Sequence, residues 1–370
     1  MPKRLVVCCD GTWNRPDQFS DGVPATTNVA KIALGLAERD EAGTEQLLHY
    51  QPGVGTRRWE RLQGGAFGIG LSRNVRDCYR FLVESYEPGD ELFLFGFSRG
   101  AYTARSTVGL ARNAGILRPE HRGRQRAAYR LYRSRSAGTH PREAEARIFR
   151  SMYSYPDPEF EFVGVWDTVG ALGIPVDAVR LPLITKLWSF HDTNLSSRVR
   201  HAYHALAVDE HRRSFSPTIW NQPEPDVDQD LQQVWFAGDH CDAGGGHADP
   251  TLSEIALGWM VERARACGLA FKEGWFGPPT DKRDERRRFG QEIDPSPYGR
   301  LNRSPTGPYK LLGSVDRTIE GDGASVASSA ITRMREESCD YAPGPLAEFH
   351  ARHPGRVTPV PDGTEQPIPV

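Results

Sequence analysis

The chain has 370 residues, of which 38% are hydrophobic, and its mean hydropathy is -0.55. No run approaches the roughly 20 apolar residues a membrane-spanning helix needs, so an integral helical membrane protein is excluded, and at roughly 100–250 residues per domain the length suits one large domain or two ordinary ones. The 46 Lys and Arg nearly cancel the 48 Asp and Glu, so the whole molecule offers no field for gripping nucleic acid.

Six cysteines are too few for a disulfide scaffold, and Cys8 and Cys9 read as small buried hydrophobes, which points to a reducing compartment. The apolar run before Asp10 is only Leu5 to Cys9, shorter than the core of a secretory signal. The expectation is a cytoplasmic protein, with signal-independent secretion as the route should it act outside the cell.

In chain order, Leu5–Cys9 reads as a strand, Asn28–Arg39 as a helix and Leu47–Gln51 as a weaker strand. Ser72–Tyr86 (helix), Glu91–Gly96 (strand), Gly100–Asn113 (helix) and Phe160–Trp166 (strand) follow, and Gln233–Ala237 (strand) and Thr251–Cys267 (helix) come last. Strands apolar on nearly every residue suit a parallel sheet buried on both faces, so the βα alternation predicts a doubly wound α/β core. Arg118 to Arg150 carries ten arginines with Tyr129, Leu131 and Tyr132 interleaved, which predicts a helical insert with a basic face. From Gly277 on, Pro and Gly punctuate the chain, so mostly loop is expected, with limited helix around Ala324–Glu337 and a frayed Thr358–Val370. The organisation expected is a catalytic domain over 1–275 with the insert at about 118–153, and an extension over 276–370 packed on it.

The sharpest motif is Gly96-Phe97-Ser98-Arg99-Gly100, between an expected strand and an expected helix. Such a turn holds a serine in a strained conformation at a helix N-terminus, the arrangement of a nucleophile elbow. A serine needs a base, and the base an orienting carboxylate; Asp167 and His240 each follow an expected strand, in the order acid then histidine. Rival acids are Asp192, Asp209 and Asp226; rival histidines are His201, His204, His211 and His247, with His204 best explained as a satisfied core residue. Asp10-Gly11-Thr12 resembles a phosphatase motif, but Cys8 stands where the first aspartate is required. The better role is an oxyanion loop in which the backbone N–H groups of Gly11 and Thr12 act with that of Arg99, against the plain alternative of a turn capped by Asp10. Leu71 replaces the lysine of a phosphate loop, so Gly64–Gly70 reads as a flexible segment bordering the site. Asp239, Asp242, His247 and Asp249 lack a paired metal-ligand spacing, so neither a metal nor another cofactor is expected.

Six co-linear segments resemble the uncharacterised α/β-hydrolase domain family that includes the catalytic domain of type VI secretion phospholipase effectors. They are Cys9–Asn14, Gly53–Thr56, Gly96–Ala101, Gly164–Gly170, Phe190–Thr193 and His240–Gly246. The resemblance implies a triad of Ser98, Asp167 and His240 and hydrolysis of lipid-like esters. This sequence departs from the family pattern at Asp239, Cys241 and His247. The expected function is a serine esterase on phospholipid or other lipid acyl esters, working through an acyl-enzyme. The rivals are a small-ester or thioester hydrolase and a non-catalytic interaction protein. A shallow open site would favour the small-ester rival, and a long apolar groove beneath the insert would favour lipid. Arg124, Arg126, Arg130 and Arg133 are candidates for docking on an anionic membrane surface.

Overall fold

The computed structural model describes residues 2–12, 14, 18–20, 22–54, 66–134, 136–170, 194–222, 229–277, 293–302, 304 and 314–363. Among these residues eight strands form one sheet: β1 (Arg4–Cys9), β2 (Gln46–Gln51), β3 (Glu91–Phe97), β4 (Phe160–Trp166), β5 (Val199–Ala207), β6 (Asp230–Phe236), β7 (Ala324–Ala327) and β8 (Val357–Thr358). All neighbours pair in parallel, in the order β8-β7-β6-β5-β4-β3-β1-β2.

The strands are apolar on both faces because both faces are covered. Leu5, Val7 and Cys9 of β1 and Leu92 and Leu94 of β3 pack with α2 (Ala66–Ser85), α3 (Arg99–Ala114) and α4 (Gln125–Arg133). Val6, Cys8, Phe93, Phe95 and Phe97 pack on the other side, with α1 (Asn28–Gly35) and a long helix at Thr251–Ala266. The alternation within each strand divides one apolar run between two cores. A buried ion pair, Lys31 Nζ to Glu254 Oε1 at 2.6 Å, ties α1 to the Thr251–Ala266 helix. The insert contains α4, α5 (Ala144–Tyr153) and a short 3₁₀ turn at Pro119–Arg124.

Several expectations need correction. β5 matches no strand expected from the sequence, because Arg200, His201 and His204 interrupt its apolar run, yet its last six residues are buried. Ala324–Ala327 is a strand and only Ser328–Arg335 is helix, and Val357 and Thr358 form an edge strand, so the extension adds directly to the main sheet. Residues 66–70 are the first residues of α2 and not a flexible border, while Gly64 and Gly65 lie outside the described residues.

Candidate active site

Sheet order places the site. The connections from β1 run to β2 on one side and onward to β3 on the other, so the ends of β1 and β3 flank the point where the winding reverses, the usual crevice for a ligand in an open α/β sheet. Ser98 follows β3 there, and Asp10 to Thr12 follow β1.

Ser98 has φ 57° and ψ -120°, a conformation uncommon for any residue with a Cβ, at the N-cap of α3. Its flanking glycines are enforced by crowding. A Cβ on Gly96 would lie 2.6 Å from Ala101 Cα, and one on Gly100 would lie 2.1 Å from the Cys9 carbonyl oxygen. Strand, turn and helix pass too closely for any side chain.

Parallel register then brings in the acid. Phe97 pairs with Trp166, and the Ser98 N–H donates to the Trp166 carbonyl at 3.0 Å, so Asp167 emerges beside the serine. Asp167 is fully buried, at φ 39°. Its Oδ2 lies 2.5 Å from His240 Nδ1, and its Oδ1 accepts from the Ala207 N–H at 3.1 Å. Arg317 donates to both oxygens, at 2.6 and 3.0 Å, and also to the carbonyls of Ala207 and Phe215. Burial pushes the Asp167 carboxyl up, but the Arg317 guanidinium and the His240 bond outweigh it, and the group sits well below the usual carboxylate range. Sequence reasoning missed Arg317. It lies 150 residues from its partner, in a segment expected to be loop.

His240 opens a short helix, α6 (His240–Gly244), four residues beyond β6. Its ring is held between Phe97, with centroids 4.6 Å apart, and Phe215, edge-on at 4.9 Å. With Nδ1 on Asp167, Nε2 is left for chemistry. Ser98 and His240 are both buried, at 5% and 4% exposure, and make no hydrogen bond with each other in this structure. The elbow serine is thus less open than its motif suggests.

Two of the departures from the family pattern turn out to be partners. His247 Nε2 lies 2.9 Å from Asp239 Oδ1, and the same oxygen caps α6 by accepting the N–H groups of Cys241 and Asp242. Burial opposes charge on His247, but Asp239 raises its pKa above the ordinary histidine value. Asp242 accepts from the Asp239 N–H and from Asn302, and burial raises it to about 6. These groups lie close enough to share a cation. Asp239 Oδ1 and Asp242 Oδ2 cap the helix that carries His240.

The loop after β1 is packed for position. A Cβ on Gly53 would fall 1.6 Å from the Gly11 carbonyl oxygen, so only glycine lets the loop rest there. The Gly11 N–H, expected to face an oxyanion, donates to the Asp10 carboxylate at 2.7 Å in this structure. Thr12 remains: its hydroxyl is buried and unpartnered among the described residues. Asp10 also accepts from Thr27 and Tyr50, which tie the loop to α1 and β2, and burial lifts it to about 6 despite these bonds.

The rivals are accounted for or lie outside the described residues. His204 is fully buried, accepts the Thr168 N–H and contacts Gln233, and burial lowers it to about 3, as suits a neutral core histidine. Asp209 accepts from Gly238 and Tyr341. His201 faces Glu161, and His211 faces Asp316. Asp192, the Phe190–Thr193 motif and Asp226 lie outside the described residues.

A family model described as "T6SS, Phospholipase effector Tle1-like, catalytic domain" matches residues 3–263. The chain belongs to this family. It is 28% identical over 234 residues to the uncharacterized protein YEL023C of Saccharomyces cerevisiae, covering 58% of this chain and 32% of that protein, so it spans about a third of that relative's length. Among solved structures, an uncharacterized protein from Pseudomonas aeruginosa aligns with TM-score 0.46 and 17% identity over 79% of this chain and 49% of that one. The Tle1 effector bound to the VgrG spike of the type VI secretion system aligns with TM-score 0.38 and 15% identity, over 67% and 52%. Among the described residues no helix is long and apolar enough to cross a membrane.

Proposed function

We propose that the chain is a serine hydrolase that cleaves acyl esters of lipids, phospholipids foremost. The observation that carries the reading is Ser98 in an elbow at positive φ, one step along the sheet from the buried Asp167–His240 pair. At this positive φ a glycine would be less strained, and the Ser98 hydroxyl makes no capping bond to α3, so neither backbone conformation nor capping accounts for a serine here. The lipid part rests on family membership.

In this mechanism Ser98 Oγ attacks the ester carbonyl carbon while His240 Nε2 takes its proton. Asp167, fixed by Arg317, holds the imidazole with Nδ1–H toward it and stabilises the imidazolium. The amides of Thr12 and Arg99, with the Thr12 hydroxyl, receive the oxyanion. His240 then returns the proton to the departing alcohol, and water repeats the sequence on the acyl-enzyme to release the acid. In this mechanism the Oγ–Nε2 hydrogen bond forms in the substrate complex, as catalytic hydrogen bonds often tighten only there.

A fluorophosphonate probe tests this directly. The expected result is one adduct, on Ser98, together with release of fatty acid from phospholipid vesicles. A folded Ser98→Ala protein that kept more than about a tenth of the activity would remove the serine mechanism. Labelling of Ser98 with turnover of soluble short-chain esters alone would move the assignment to a small-ester hydrolase.

A further inference from the structure

The four arginines expected to dock on membranes do not line one surface. Arg124 stacks on the Tyr153 ring at 4.0 Å, and Arg133 lines, with Tyr102 and Ser72, a narrow crevice between α2, α3 and α4. The interleaved Tyr129, Leu131 and Tyr132 pack against the core instead of facing outward. Arg126 and Arg130 do face solvent, and they meet a second set of arginines that the sequence reading passed over.

Arg73, Arg76 and Arg80 recur at helical spacing on α2. With Arg126 they line a hollow of about 340 Å³, and Arg76, Arg126 and Arg130 line an adjoining one of about 400 Å³. Five guanidiniums therefore share one groove whose only acidic lining residue among the described residues is Asp77, which pairs with Arg73 at 3.6 Å and Arg80 at 2.8 Å. Arg76 lies over the Tyr129 ring at 5.7 Å. Arg126 and Arg130 have no acidic partner among the described residues. Holding five like charges together with one counter-charge costs free energy unless an anion is met there.

We propose that this groove between α2 and α4 binds the phosphates of anionic phospholipids at a bilayer surface and so seats the hydrolase on its substrate. Charge complementarity selects a polyanionic surface, since guanidinium pairs with phosphate in bidentate geometry. A bilayer is favoured over a soluble anion because the same insert exposes large apolar side chains: Ile148 and Met152, one turn apart on α5, are 57% and 52% exposed. Position agrees with the use. The crevice beside the groove is lined by Leu71, Ser72 and Tyr102, and Tyr102 lies one helical turn beyond Ser98. The proposal rests on the lipid-hydrolase reading for its purpose but not for its test.

The test is co-sedimentation of the full chain carrying Ser98→Ala, which leaves vesicles intact, with phosphatidylcholine vesicles and with equal mixtures of phosphatidylcholine and phosphatidylglycerol. Binding is expected only to the mixed vesicles, falling as salt screens the charges. Each basic group near an anionic leaflet is worth roughly a fivefold change in partition, so adding Arg73→Gln, Arg76→Gln, Arg126→Gln and Arg130→Gln should weaken binding on the order of several hundredfold. Arg39→Gln, Arg335→Gln, Arg352→Gln and Arg356→Gln, which remove the same charge from exposed positions elsewhere, should change it little. With Ser98 intact, the groove variant should hydrolyse a soluble short-chain ester like the wild type, which separates failure of docking from failure of the catalytic reading. Equal binding to both vesicles, binding to neither, or equal losses in the groove and control variants would each overturn the proposal; binding to neither would leave an acidic protein as the occupant to seek.

Discussion

Replacing Arg317 by glutamine leaves Asp167 buried with one of its two charge partners gone. Arg317 is 5% exposed and Asp167 fully buried, and the guanidinium spans both carboxylate oxygens and two carbonyls. Removing one member of such a pair typically costs about 3–5 kcal/mol, a large share of the roughly 5–15 kcal/mol that holds a domain folded. The stability loss alone would not distinguish a scaffold from a positioning residue, so the decisive readout is pH. With Arg317 present, Asp167 is ionised throughout the working range; its stabilising contribution is complete above the ordinary carboxylate value and is lost only as pH falls through its depressed folded value. Without Arg317, burial again dominates and the folded value rises, so the acid limb of kcat/KM on a soluble ester should move to higher pH. We expect Arg317→Gln to lower kcat/KM by roughly 10- to 100-fold at neutral pH, as when a support of a site residue is lost. Arg317→Lys, which keeps the charge but not the fork, should fall between it and the wild type in both respects. Assays on protein shown to be folded by circular dichroism settle the point: an Arg317→Gln protein with a lowered Tm but a wild-type rate and an unmoved acid limb would refute the positioning role.

Three further outcomes follow from the same geometry. Ser98, His240 and Asp167 should behave as one unit, so His240→Ala should cost several orders of magnitude alone and almost nothing on top of Ser98→Ala; a multiplicative double mutant would argue against the triad. Gly53→Ala should depress kcat on a short-chain ester far more than it raises KM, because the added methyl must displace the Gly11 carbonyl and with it the Thr12 amide; kinetics like the wild type would show that this loop does not contact the reacting carbonyl. His247 is raised by Asp239, so its contribution to stability is full below the ordinary histidine value and fades as pH rises through the higher folded one. The Tm of the wild type should therefore decline across that window more steeply than that of His247→Gln, as scanning calorimetry at stepped pH can check.

What the sequence made legible was whatever is enforced locally. Gly96 and Gly100 announce the elbow because strand, turn and helix crowd within five residues, and strands apolar on both faces announce a sheet buried on both faces. Asp167 and His240 could be read because each sits just past a strand, and the ends of parallel strands meet at one rim. The parts that stayed hidden depend on contacts across long stretches of chain. β5 looked unlike a buried strand because His201 and His204 break its apolar run, yet His204 is satisfied by Thr168 N–H and Gln233, partners that no local pattern reveals. Asp239 and His247 read as isolated departures from a family pattern until folding made them a hydrogen-bonded pair under the histidine. Arg317 is the extreme case. Nothing within several residues of it carries periodicity or a motif, and an arginine in a loop ordinarily solvates a surface. Its meaning comes from a buried carboxylate 150 residues away that accepts bonds from His240 and the Ala207 N–H and still requires a cation. A carboxylate placed in so dry a site can stay ionised only if some other element supplies that charge. The need for an Arg317 could therefore have been inferred from the burial of Asp167, although its position could not.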